Sequence, residues 1–256
     1  MSSAPAAPFE HFGFAMDAGI AARARIGLVV LATDHTLEHE WRQLLTQPGV
    51  AFYESRLYNA AEIAPATLAA MEKDIRPAVD LILPGIALQV VAFGCTSGTL
   101  VIGEQNVFAR IREARPGVAC TTPLTAAMAA LKALGAKRIA LLTPYVESIN
   151  RLFAEHIEGA GVGVSRIGSF NHADDNDVAR IDAGSLHSAA LALGRHEDVD
   201  AVFVSCTSLR MVSLIPVLER ELGKPVISSN YAMAWHALRL AGIDEPQAQL
   251  GSLFAQ

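Results

Sequence analysis

The chain has 256 residues, 52% of them hydrophobic and 18% charged, with a formal net charge of −6. That length holds one large or two medium domains with a substantial core, and the composition is that of a globular rather than a disordered chain. The acidic balance, without any basic run, argues against a nucleic-acid partner, and no stretch approaches the roughly 18 uninterrupted apolar residues of a membrane span.

Residues 1–24 are Ala/Pro-rich and then Phe-rich, and lack the charged start and apolar core of a secretory signal. We expect an N-terminal extension there. Short apolar runs rich in Val, Ile and Leu then predict strands at 26–32, 51–56, 90–94 and 118–121, and again at 138–143, 163–169, 201–205 and 225–229. Runs that are continuously apolar, rather than alternating, fit a parallel sheet covered on both faces. Between them lie helical patterns. In 67–83, Leu68, Met71, Ile75, Val79 and Ile82 recur at three- and four-residue intervals. The stretches 123–134 (closed by Gly135), 147–160 and 211–222 read the same way. Strand–helix alternation predicts an α/β fold of βαβ units.

An internal repeat sharpens this. Asp34 follows the run LVVLAT and Tyr145 follows IALLTP. Asp34 to Cys95 is 61 residues, as is Tyr145 to Cys206, so both pairs are displaced by 111. Two related lobes follow, which we place at 25–121 plus 232–256 and at 122–231. In open parallel sheets ligands sit beyond the carboxyl ends of the strands, where all four residues are expected. If the lobes face one another, the two cysteines approach one cleft from opposite sides.

Each cysteine heads a Cys-Thr-Ser segment, in VVAFGCTSGT and VFVSCTSLR. An isolated buried cysteine is usually a small hydrophobe. Two matched ones at matched strand ends point instead to a reacting pair. N–H groups at a helix start stabilise a thiolate, and Thr96, Ser97, Thr207 and Ser208 add hydroxyl donors suited to a carboxylate. Thiols on opposite faces permit proton removal on one side and return on the other, or covalent addition by one of them. Tyr145 reads as opening a helix, with its hydroxyl free for substrate. Asp34 reads as a helix cap that also contacts substrate. Cys120 has no matching partner and is expected to be structural; His35 reads as a surface residue, and His172 with the acidic run 173–177 as a solvated loop. Three cysteines without C-x-x-C spacing are expected as free thiols in a reducing cytoplasm.

GLVVLATDHTLEHE, VVAFGCTSGT, TTPLTAAMAALKALGAKRIALLTPY, DDNDVARI and VSCTSLR together resemble the Asp/Glu racemase superfamily, over roughly residues 25–240. They are most similar to its maleate cis-trans isomerase and arylmalonate decarboxylase branch, including ectoine-utilisation relatives. The resemblance implies two pseudo-symmetric, flavodoxin-like lobes with the active site between them, no metal or organic cofactor, and a small carboxylate substrate. It is compatible with a homo-oligomer. It implies Cys95 and Cys206 as the catalytic pair, Tyr145 and Asn176 as carboxylate contacts, and the Thr and Ser residues after each cysteine as anion-hole donors. Maleate isomerases of that branch add the first cysteine to the alkene, rotate about the new single bond and expel the thiolate. Arylmalonate decarboxylases keep only the second cysteine; this chain has both, which speaks against decarboxylation by Cys206 alone. A non-catalytic carboxylate-binding protein is the remaining reading. One departure stands out: Asp34 occupies a position where maleate isomerases usually have Asn. Its charge beside a dicarboxylate would cost about 1–4 kcal/mol in a partly solvated site, which favours an amino- or acylamino-bearing acid.

Overall fold

Residues 9–256 are described in a computed structural model; the first eight residues of the expected N-terminal extension lie outside them. Strand β1 (Ala24–Leu31) leads through helix α1 (Leu37–Leu44) to β2 (Val50–Leu57), and helices α2 (Pro65–Ala69) and α3 (Glu72–Asp80) lead on to β3 (Val90–Gly94). Helices α4 (Thr96–Ile102) and α5 (Glu104–Ala114) return the chain to β4 (Ala119–Thr121). After α6 (Pro123–Ala133) come β5 (Arg138–Thr143), α7 (Glu147–Gly159), β6 (Gly163–Ser169), α8 (Asp175–Val178) and α9 (Ala183–Gly194). Strand β7 (Ala201–Val204), α10 (Ile215–Leu222), β8 (Val226–Ser228) and α11 (Ser229–Leu240) complete the regular elements before a short 3-10 turn. All eight expected strands form, each within two residues of its expected ends.

The strands make two four-stranded sheets, ordered β2-β1-β3-β4 and β6-β5-β7-β8, with every pairing parallel. The same order twice is what the internal repeat predicts. In each sheet the winding reverses beside its first strand, so a crevice opens at the carboxyl ends of β1 and β3, and another at those of β5 and β7. The central strands β3 and β7 are buried along their whole length, in keeping with their unbroken apolar runs. Alternation sorts the side chains of β3 to its two faces: Val90 and Ala92 join a core continuous with the second sheet, while Val91 and Phe93 enter a second core beneath α3 and α5. Helix α11, which follows the last strand of the second sheet, packs on α1, α6, β3 and β4 of the first half.

Two expected helices are shorter than their apolar pattern suggests. The pattern over 67–83 breaks between α2 and α3, and Pro77, lacking an N–H, sits inside α3. The pattern over 211–222 becomes helical only at Ile215; ahead of it the N–H groups of Met211 and Val212 donate to the Glu40 carboxylate.

Candidate active site

Strand β3 delivers Cys95 to the first residue before α4, where it caps the helix: the Gly98 N–H donates to Sγ at 3.1 Å. Two glycines make this possible. A Cβ at Gly94 would lie 2.8 Å from the Val29 carbonyl and would run into Leu37, and one at Gly98 would lie 2.7 Å from the Cys95 sulfur. Cys206 stands at the matching end of β7 but without a helix behind it, contrary to the expected thiolate-stabilising helix start. Its own N–H donates to the Ser229 hydroxyl at 3.1 Å, and the Tyr145 hydroxyl and Ser208 N–H face its sulfur. The Ser229 hydroxyl also pairs with that of Thr96 at 2.9 Å, tying the two Cys-Thr-Ser segments together from behind.

Tyr145 does not open a helix; α7 starts two residues later, at Glu147. It is buried and stacks on Phe153, ring centroids 5.4 Å apart. Its carbonyl is held by Asn150 Nδ2 at 2.8 Å and by the Ser169 hydroxyl, so its side chain is anchored from below. Asp34 braces the turn that enters α1 rather than capping the helix, whose first flanking residue is Thr36, and it is not among the residues lining the cavity described below. Oδ1 accepts the N–H groups of Thr36 and Leu37, each at 2.7 Å, closing the turn that leads into α1. Oδ2 is buried without a hydrogen bond of good geometry, the Thr207 hydroxyl being the donor that faces it.

One carboxylate at this site has no counterpart among the expected residues. Asp175, at the start of α8, is buried, takes a hydrogen bond from Thr33 Oγ1 at 2.5 Å and another from Ser208 Oγ at 2.8 Å. It thereby joins the first lobe to the loop after Cys206. The neighbouring Asn176 points elsewhere, its Oδ1 3.1 Å from Nε2 of the exposed His35. Within the run 173–177 the capping carboxylate is Asp174, which accepts the N–H groups of Asn176 and Asp177; the cap fixes the register of the turn, and that register turns Asp175 inward.

Cys95, Thr96, Ser97, Tyr145, Asp175, Cys206 and Thr207 line one enclosed cavity. Its roof is the segment after β2 with α2 and its end, including Asn59, Glu62, Ile63 and Met71. The roof is pinned to the second lobe by Ile63 N–H to the Ala173 carbonyl at 2.9 Å and Asp175 N–H to the Ala61 carbonyl at 3.0 Å. The volume is about 20 Å³, room for about one water. An organic acid does not fit the site in this closed form. Cys120 lies in the core under α5 and does not line the cavity.

Burial governs the chemistry of both thiols. It pushes Cys95 up to about 12, with the charges of Asp175 and Asp34 adding to the rise and the Gly98 N–H opposing it. Cys206 is raised as well, by burial and then by Asp175, and Tyr145 is held well above its ordinary value, chiefly by burial. Asp34 and Asp175 are themselves raised by burial. In the closed site both thiols are therefore neutral. The residues lining the cavity include two carboxylates, Glu62 and Asp175, and no Lys, Arg or His.

The model of the arylmalonate decarboxylase family matches residues 27–254. A maleate isomerase of Nocardia farcinica is 30% identical over 238 residues, covering 89% of this chain and 93% of its own. An arylmalonate decarboxylase of Bordetella bronchiseptica is 36% identical over 133 residues, about half of either chain (52% and 55%). Among solved structures, the Nocardia farcinica maleate cis-trans isomerase, in a mutant with a covalently bound succinylcysteine intermediate, superposes with a TM-score of 0.80 at 28% identity, over 91% of this chain and 98% of that one.

Proposed function

The chain belongs to the arylmalonate decarboxylase family, in the branch that includes the maleate isomerases, and from that premise we propose that it is a cofactor-independent isomerase of a small carboxylic acid, with Cys95 and Cys206 as opposed reacting thiols. The observation that carries this is the convergence of both cysteines on one enclosed cavity, each at the carboxyl end of a central strand. Thr96, Ser97 and Thr207, which line the cavity, are the donors for a substrate carboxylate, with the Tyr145 hydroxyl beside Cys206 and the Ser208 hydroxyl committed to Asp175.

Two courses fit two thiols. In one, the sulfur of Cys95 adds to an alkene carbon, a proton reaches the neighbouring carbon from the opposite side, the new single bond rotates, and loss of that proton expels the thiolate. In the other, one thiolate removes the α-proton and the opposite thiol delivers a proton to the other face, inverting the centre. Each requires one cysteine as thiolate, and in the closed site the carboxylates of Asp34 and Asp175 oppose that charge.

Those two carboxylates favour the second course. A dianionic substrate would add to a cavity whose ionisable lining is already acidic. A substrate ammonium would pair with Asp175, be favoured by the charge of Asp34 behind it, and lower the cost of a thiolate nearby. We therefore infer a racemase-type isomerase of an amino-bearing acid in preference to a maleate isomerase.

Proton NMR in D2O with a panel of small chiral amino acids, their N-acyl forms and maleate separates these readings. The expected result is α-deuterium exchange with an amino-bearing acid, its loss in Asp34→Asn or Asp175→Asn, and no fumarate from maleate. Efficient conversion of maleate by the wild type overturns the amino-acid reading and keeps the cysteine isomerase. If no acid in the panel exchanges, isomerises or protects the cysteines from alkylation, the isomerase reading itself falls.

A further inference from the structure

We propose that Glu40 is a positioning residue for Cys206: its carboxylate reaches across from the first lobe and ties down the chain after this cysteine. Glu40 lies on the buried face of α1 and is 2% exposed. Oε1 accepts the N–H groups of Met211 at 2.5 Å and Val212 at 2.7 Å, and Oε2 accepts from Asn230 Nδ2 at 2.8 Å. The same Nδ2 donates to the Thr207 carbonyl at 2.8 Å. Both partners of that nitrogen are acceptors, which settles the orientation of the amide.

Two further bonds run the same way. Thr36 Oγ1 donates to the Ser208 carbonyl at 2.9 Å, and Trp41 Nε1 donates to the Asn230 carbonyl at 3.2 Å. The buried face of α1 thus grips, directly or through Asn230, the backbone of Thr207, Ser208, Met211 and Val212. After Cys95 the corresponding work is done by the helix itself: the Thr99 N–H returns to the Cys95 carbonyl at 3.1 Å. The two otherwise matched halves therefore hold their cysteines by different means. Cys95 rests on its own helix, and Cys206 on a carboxylate supplied by the opposite lobe. The three N–H donors offset part of the cost of burying this carboxylate.

The arrangement predicts which cysteine responds when the carboxylate is changed. In Glu40→Gln, the side-chain oxygen still accepts from Met211 and Val212, but the new NH2 faces Asn230 Nδ2, donor against donor. Initial rates of iodoacetamide modification, read separately on the Cys95 and Cys206 peptides by mass spectrometry, test the clamp in the free protein. Released, the loop opens locally, so modification of Cys206 is expected to accelerate by about tenfold while Cys95 changes by less than about threefold. Asn230→Ala, which removes the bonds to Glu40 and to Thr207 but leaves those to Met211 and Val212, is expected to shift the same ratio in the same direction. It decides the matter if Glu40→Gln does not accumulate folded. Equal acceleration at both cysteines would show general loosening and overturn the proposal, as would an unchanged Cys206 rate.

Discussion

At Cys95, one hydrogen bond and one missing side chain decide where the sulfur sits. The Gly98 N–H donates to Sγ, and a Cβ at Gly98 would come within 2.7 Å of both that sulfur and the Met71 methyl. Gly98→Ala must therefore displace the sulfur or the roof. We expect a loss of about 1–3 kcal/mol in denaturant unfolding, the usual cost of overpacking, and a changed alkylation rate at Cys95 with little effect at Cys206. Unchanged stability and labelling would mean that the roof yields freely over Cys95. For the thiols themselves, Cys95→Ser and Cys206→Ser each replace a reacting group by one that ionises far less readily. Each is expected to lower kcat by about 10²–10⁴-fold on the substrate that the exchange screen identifies, the range for losing a positioned acid or base. Loss of activity in only one of the two variants would leave a single-cysteine mechanism.

The elements around the site divide between those that hold residues still and those that admit substrate. Helix α1 belongs to the first group, and Asp34 Oδ1 braces the turn that enters it. Asp34→Asn keeps an acceptor there, so it is expected to unfold within about 0.5 kcal/mol of wild type, whereas Asp34→Ala is expected to lose about 1 kcal/mol. Comparing the two by chemical denaturation separates the turn's hydrogen bonds from the charge, and an Asn variant as unstable as the Ala variant would show the ionised form to be structurally required. The roof belongs to the second group. Ile63→Pro removes the N–H that pins it to Ala173, and faster alkylation of Cys95 and Cys206 together is expected. No change at either would place the hinge elsewhere. The strands that present these residues could be read from the chain because continuous apolar runs bounded by Gly, Pro and Ser encode buried parallel strands locally. The pairing of Asp34, Cys95, Tyr145 and Cys206 was equally legible, since a repeat preserves spacing. Asp175, Ser229 and Glu40 were not. What turns Asp175 inward is the register of one short capped turn, and what makes Glu40 matter is a contact with Met211 and Val212, 171 and 172 residues away. Neither leaves a periodic trace.

On the scale of the whole molecule, three buried carboxylates sit where the lobes meet, and folding must desolvate all of them. Burial raises Asp34 and Asp175 above their ordinary range and takes Glu40 to about 7 from 4.5. An acid whose folded pKa is raised binds more protons folded than unfolded between the two values, so stability falls as pH rises through that window. For Glu40 the window runs from 4.5 to about 7, and the loss across it is about 3 kcal/mol by linkage. His236 works in the opposite sense. Burial lowers its pKa from 6.5, so the unfolded chain binds the extra proton and stability rises with pH up to the unfolded value. Because these contributions overlap, the difference between wild type and Glu40→Gln is the informative quantity. Denaturant unfolding at pH 5.0 and pH 7.5 is expected to show the wild type losing more stability over that interval than the Gln variant, which carries no proton at this position to release. His236 is present in both proteins and cancels. Parallel pH profiles would mean that Glu40 is already ionised throughout, its three donors outweighing its burial; a steeper profile in the Gln variant would reverse the sign assigned to it.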